Sequence, residues 1–371
     1  MTATRRAILP LTVIVGFSAA GAMLGLLRVG GMTAWAGPYV HHLDPIIGTL
    51  LGIHVWWYGL SYTLGFLNAF LFLLRRRERL GFSVRSVHRL SLLLALGVLV
   101  GGRLVEVVFY EWPFYREHPL LIPAYWLGGM ATHGLLLGGL TGIWVFARLE
   151  RQSFLGITDV LVVSAAVIMG LGRIGNFVDG QIVGSVTTVW WAVKFPDAEG
   201  FRHPVVLYDG LKNLLLVPIL LWANRRRCPQ GFSTGLFLFL YAGLRIFVDI
   251  FREYPTTLFG LATGQVLNMV MSGMGLGLML FSLVKRPRAG LIEVPSLAAL
   301  SQYDSSVCPR WLRSAFILLL LGSMTMPSDS TQDVPARYGL RHSGLHYSFL
   351  YPKIAAVSSS ALLDAGSPPG R

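Results

Sequence analysis

The chain alternates long apolar runs with short clusters of basic residues. Eight runs stand out: Ile8–Val29, Val55–Leu74, Leu90–Tyr110, Met130–Ala147, Ile157–Ile174, Val205–Ala223, Thr234–Ile250 and Gly264–Val284. Each approaches the ~20 apolar residues that a helix needs to cross a bilayer. The glycines and prolines inside them are tolerated in lipid-embedded helices. The pattern predicts an all-α, polytopic transmembrane helical bundle: a seven-helix core plus an extra N-terminal span. A shorter run, Trp311–Met326, is marginal as a ninth span. The tail beyond it, ending SSSALLDAGSPPGR, reads as weakly structured.

The basic clusters give the bundle a direction. Arg5 and Arg6 precede the first run. Arg75, Arg76, Arg77 and Arg79 follow the second, Arg148 and Arg151 the fourth, and Arg225, Arg226 and Arg227 the sixth. Lys285, Arg286 and Arg288 follow the eighth. Basic loops stay in the cytoplasm, so 39–53, 111–128, 176–204 and 253–263 are expected outside. The first run starts with a basic pair and is followed by Ala34-Trp35-Ala36, a signal-peptide feature, but its length favours a retained anchor.

Composition agrees with this reading. Of 371 residues, 54% are hydrophobic and 13% charged, against about 25% charged in soluble proteins. The net charge of +13 would suit nucleic acid. Its confinement to clusters between apolar runs excludes that partner and points to a lipid bilayer. The two cysteines, Cys228 and Cys308, show no metal-ligand spacing, and no disulfide is expected.

Charged residues inside a span cost about 2.5–3.5 kcal/mol each, so they require a partner or a task. In LYAGLRIFVDIFREYP, Tyr241, Arg245, Asp249 and Arg252 fall on one helical face. They read either as a neutralised pair or as an anion site entered from outside. Arginine keeps its proton and binds phosphate in bidentate fashion. In GLGRIGNFVDGQIVG, Arg173 and Asn176 share a face among packing glycines. His133 lies in GGMATHGLLLGG, Tyr58 in HVWWYGLSY, and Arg202 and His203 in FRHPVVLYDG. Singly, these read as a helix-to-helix hydrogen bond, an aromatic belt and an exposed basic loop. Together they occupy the outer ends of five spans, which independent structural residues have no reason to share.

The blocks WYGLSY, GGMATHG, GRIGNFVDGQIVG, RHPVVLYD and YAGLRIFVDIFRE, with LDPIIG and GQVLNMVM, resemble in order the conserved blocks of bacterial phosphatidylglycerol–prolipoprotein diacylglyceryl transferases. The resemblance spans roughly Leu43 to Val284. It implies a seven-helix core in the cytoplasmic (inner) membrane, with the site toward the periplasm. It also implies an enzyme that moves the diacylglyceryl group of phosphatidylglycerol to the lipobox cysteine of preprolipoproteins, releasing glycerol phosphate. Matched motifs make Tyr58, His133, Arg173, Asn176, Gly184 and Arg245 the core functional positions. Tyr58, His133, Arg173 and Arg245 are the catalytic candidates, and His203, Tyr241, Asp249 and Arg252 support substrate binding. No metal or cofactor is expected. The implied division is an anchor or signal-like segment (1–42), a transferase-like membrane domain (43–288) and a C-terminal extension (289–371). The chain departs from the family where Asp179 and Gln181 replace the usual Asn and Glu, and where Asp209 and Asp249 stand for the more usual Glu. The loss of a carboxylate at 181 is partly offset by Asp179. A divergent paralogue with another acceptor and an anion transporter are the alternatives.

Overall fold

A computed structural model describes residues 38–226, 228–252, 257–258, 261–285, 308–328 and 333–353. The first predicted span lies outside them. The other seven predicted spans are helices: α1 (Trp57–Leu80), α2 (Val84–Val105), α3 (Thr132–Leu149), α4 (Phe154–Val178), α5 (Val205–Arg225), α6 (Phe232–Asp249) and α7 (Thr263–Val284). Six are long and apolar enough to cross a membrane. In α3, His133, Arg148 and four glycines (Gly134, Gly138, Gly139 and Gly142) dilute the apolar content over its 18 residues. The protein is a multi-pass helical membrane protein.

Local chemistry sets the helix ends. Ser83 and Ser153 cap α2 and α4 by accepting the N–H of Ser86 and Gly156. Gly81, at φ 68°, ends α1 in a left-handed turn whose amide donates back into the helix. Helix α2 continues as a π-helical turn over Glu106–Tyr110.

Helix α4 is the centre of the bundle, packed against α1, α3, α5 and α6. The main apolar core surrounds it, with Leu73, Phe146, Ile157, Val163 and Leu220 buried. Two helix pairs are joined by glycines. Between α2 and α3, a Cβ at Gly97, Gly101, Gly134 or Gly138 would strike backbone of the facing helix. Between α6 and α7, a Cβ on Gly235 would lie 2.7 Å from the Gly275 carbonyl oxygen. Such small-residue seams replace the hydrophobic effect as the source of helix association in lipid.

The connections at one end carry the basic residues. There the Arg79 guanidinium donates to the Asn224 carbonyl, and Arg89 pairs with Glu150. The opposite end carries the irregular structure. Strands β2 (Ile46–Leu50) and β3 (Ile53–Trp56) form an antiparallel hairpin leading into α1. Strand β1 (Tyr39–Val40) pairs in parallel with β4 (Val193–Lys194).

The run Trp311–Met326 is helical over Arg310–Ser323 (α8), which packs on α1 and α2. Weak structure was expected beyond it, and residues 333–353 depart from that expectation. Tyr338 and Tyr351 are buried aromatic anchors. Tyr338 packs edge-on to Trp56 at 5.0 Å, and the Tyr351 hydroxyl accepts the His54 N–H at 2.9 Å. The Trp126 indole donates to the Leu350 carbonyl at 2.8 Å. Contacts this distant in sequence leave no periodicity to read. Residues 354–371 lie outside the described part.

Candidate active site

At the end opposite the basic loops, five charged side chains from α4, α5 and α6 form one ion-paired cluster. Its hub is Asp209, on the first turns of α5 and 1% exposed. Arg173 of α4 reaches Asp209 Oδ2 through Nε at 2.5 Å. Arg245 of α6 reaches the same oxygen through Nη1 at 2.7 Å, and Asp249 Oδ1 through Nε at 3.0 Å. Lys212, one turn along α5 from Asp209, pairs with Oδ1 at 2.8 Å. Around this core, Arg173 Nη1 donates to Asn176 Oδ1 at 3.2 Å, and Asn268 of α7 donates to Asp249 Oδ2 at 3.2 Å. Close helix approach makes this possible. A Cβ on Gly170 would lie 3.4 Å from the Gly210 carbonyl, and one on Gly210 would lie 3.2 Å from Arg173 Cβ.

The i,i+4 pairing of Arg245 with Asp249 is as the helical face predicts. Arg245 also serves Asp209, so the neutralised pair and the multi-helix cluster coexist. Arg173 is ion-paired across helices, to Asp209 of α5. Asp209 and Lys212 were not singled out from sequence as site residues. The available signal was two charges at i,i+3 inside the apolar run VVLYDGLKNLLL. Tyr241 joins through its main chain and ring: its carbonyl accepts from Lys212 Nζ at 3.3 Å, and the ammonium lies 4.0 Å from the ring centroid.

Tyr58 opens α1 beside this cluster. Its hydroxyl is hydrogen-bonded to that of Tyr62 at 2.9 Å, one turn on. Gly175 of α4 lets the helices close, since a Cβ there would sit 2.7 Å from Tyr58 Cα. Met326, beyond α8, is buried with Tyr58 and Tyr62. From there the chain crosses to the end of α4, where Ser328 N–H donates to Asp179 Oδ2 at 2.9 Å. Arg341 donates to the Asp179 carbonyl at 2.9 Å. Asp179 therefore holds the C-terminal segment, rather than simply replacing the carboxylate missing at 181. The Gln181 Nε2 is buried without a hydrogen-bond partner among the described residues.

The other predicted positions are not members of the ion-paired cluster centred on Asp209. Gly184 sits where three backbones meet: a Cβ would be 2.6 Å from the His203 carbonyl and 2.8 Å from that of Phe251. Its carbonyl accepts from Arg202 at 3.1 Å. His203 Nδ1 lies 3.1 Å from the Tyr208 hydroxyl, which also accepts the Trp191 indole N–H at 2.6 Å. Burial pushes the His203 imidazole below its ordinary range. Arg252 lies just beyond α6, half-buried. His133 is exposed on the first turn of α3, outside the ion-paired cluster.

The approach to α3 is held by Arg103, a further buried charge not singled out from sequence. Its guanidinium donates to the carbonyls of Leu121, Ile122 and Gly128 and lies 4.9 Å from the Tyr115 ring centroid. Gly129, at φ 87°, leaves it room: a Cβ would lie 3.0 Å from Arg103 Nη1.

A helical membrane protein with guanidinium groups gathered at one end of its bundle carries there the side chains chemically suited to pair with an anion. Comparison with known proteins specifies the family. The family model described as prolipoprotein diacylglyceryl transferase matches residues 45–281. A phosphatidylglycerol–prolipoprotein diacylglyceryl transferase of Geobacter sulfurreducens is 39% identical over 259 residues, covering 67% of this chain and 98% of that protein. Proteins of the same name from Pseudoalteromonas atlantica and Vibrio cholerae are 35% and 36% identical, over 68% and 65% of this chain and 94% and 92% of theirs. The chain belongs to the prolipoprotein diacylglyceryl transferase family.

Proposed function

We propose that this protein transfers the diacylglyceryl group of phosphatidylglycerol to the lipobox cysteine of preprolipoproteins, in the bacterial cytoplasmic membrane with its site facing the periplasm. The observation that carries the reading is the cluster in which Arg173 and Arg245 share Asp209, within the region matched by the family. The orientation is supported by the basic loops at the other end.

Each arginine spends two of its three nitrogens on the protein: Arg173 on Asp209 and Asn176, Arg245 on Asp209 and Asp249. Among the described residues, this leaves Nη2 of each for phosphate oxygens. The cysteine sulfur attacks the diacylglyceryl carbon that carries the phosphate. A C–S bond forms, the C–O bond breaks, and its electron pair goes to the oxygen leaving with glycerol phosphate. The arginines stabilise the charge growing there, which is most effective away from water. The free thiol, of pKa about 8.5, must lose its proton. His133 is the candidate acceptor, and its exposure at the head of α3 suits an arriving peptide. Tyr58, with Tyr62, borders the cluster on the α1 side and positions the head group. His203, Tyr241, Asp249 and Arg252 support the surrounding walls, and Gly184 keeps three backbones in contact.

The test is complementation of a strain depleted of its own transferase, following the mass of a model lipoprotein. Wild-type protein restores the diacylglyceryl mass shift. Arg245→Ala inserts normally and abolishes it. Near-normal lipidation by that variant overturns the assignment.

A further inference from the structure

Lys212 is the charge in the cluster that the chemistry above leaves without a task. It is 6% exposed and fully committed to the protein, with its ammonium on Asp209 Oδ1, the Tyr241 carbonyl and the Tyr241 ring. Its effect is visible in the charge count. Arg173 and Arg245 bring two positive charges, and Asp209 and Asp249 bring two negative charges. Those four side chains are neutral together. An anion approaching them meets arginines whose field is cancelled by carboxylates 2.5–3.0 Å away.

Lys212 changes that balance to three positive and two negative. It draws on Oδ1 of Asp209, while both arginines share Oδ2. The surplus charge cannot stay unbalanced at low cost in a poorly hydrated site. It is presented through the most exposed member, Arg173, whose side chain is 17% exposed against 11% for Arg245.

We propose that Lys212 is a positioning and specificity-determining residue: acting through Asp209, it sets the cluster at one net positive charge, matched to a lipid head group bearing a single phosphodiester charge. This rests on the reading of the cluster as the phosphatidylglycerol site. A zwitterionic head group brings its own cation and gains less from that surplus.

The test measures binding apart from chemistry. Full-length protein is placed in phosphatidylcholine nanodiscs, and fluorescent phosphatidylglycerol is titrated in. Lipidation of a lipobox peptide is followed in parallel. Lys212→Met weakens phosphatidylglycerol binding by about tenfold or more, the scale of one unit charge acting over ~8 Å at an effective dielectric constant of ~20. The loss falls on KM rather than kcat. Lys212→Met combined with Asp249→Asn restores one surplus positive charge and recovers most of the affinity, although no lysine is present. Asp249→Asn alone, which keeps an oxygen for Arg245, tightens binding and serves as the arm that does not require removing the lysine. Lys212→Met binding like wild type, a double variant no better than the single one, or Asp249→Asn failing to tighten binding each overturns the proposal. Wild-type protein that binds phosphatidylglycerol but transfers nothing to the peptide overturns the catalytic reading instead.

Discussion

Replacing Asp209 with Asn removes the charge on which three cations converge while preserving the side-chain shape. The carboxylate is 1% exposed and lies 2.5, 2.7 and 2.8 Å from Arg173, Arg245 and Lys212. The gross Coulomb attraction of one such pair is about 6 kcal/mol at an effective dielectric constant of ~20, but desolvation of both partners offsets most of it. The net quantity is the penalty for leaving buried cations unmatched, about 3–5 kcal/mol for a broken buried pair. Asp209→Asn raises the cluster surplus from one charge to two, so the upper part of that range is expected. Thermal unfolding in phosphatidylcholine nanodiscs should fall by roughly 10 °C, from about 2–4 °C per kcal/mol. Adding phosphatidylglycerol should restore part of the loss, because an anion supplies the missing charge. A melting temperature within ~2 °C of wild type, which corresponds to about 1 kcal/mol or less, would refute the view of Asp209 as the electrostatic hub.

Further predictions concern the frame around the site. Gly138→Val puts side-chain atoms into the Gly97 backbone and should cost about 3 kcal/mol or more, read as lost detergent-resistant folding, whereas Gly172→Ala, which meets nothing within 4 Å, should be silent. Asp179→Ala should release the segment around Ser328 and Arg341 at a cost of about 1–3 kcal/mol, seen as new proteolytic cuts between residues 323 and 345 with α4 still protected. His41 is buried with Nε2 2.7 Å from the Phe177 carbonyl, and its pKa is lowered from 6.5 to about 4, chiefly by burial. The unfolded chain therefore binds the proton more tightly. Stability present above pH ~6.5 should fall by up to about 1.4 kcal/mol per unit on acidification, ending near pH 4. His41→Gln should flatten that slope in pH-dependent unfolding.

What could be read from sequence follows how local each signal is. A run such as Val205–Ala223 declares a helix by composition, and clusters such as Arg75–Arg77 declare its direction, so seven helices and the two ends of the bundle were legible. So were pairs within one helix: Arg245 with Asp249, and Arg173 with Asn176. The convergence of three helices on Asp209 was not, because nothing in one helix records which neighbour its polar face meets. Lys212 and Arg103 left a sequence signal, a charge inside an apolar run, that the stronger motifs overshadowed. The C-terminal contacts left none. Tyr351 meets His54 across 297 positions, and a tyrosine in the run LHYSFLYP does not announce a partner that far away.

The glycine seam between α2 and α3 has a mechanical consequence. Parallel rods separated by side chains can part gradually, because rotamers change as the gap widens. Gly97, Gly101, Gly134 and Gly138 place backbone directly against backbone, with no such compliance. The two helices therefore move as a single stiff plank, carrying His133 at one end and, through the loop pinned by Arg103, the strip of chain that leads to it. A route for acyl chains through the middle of that plank would require breaking backbone-to-backbone contacts, whereas one along its edges would not.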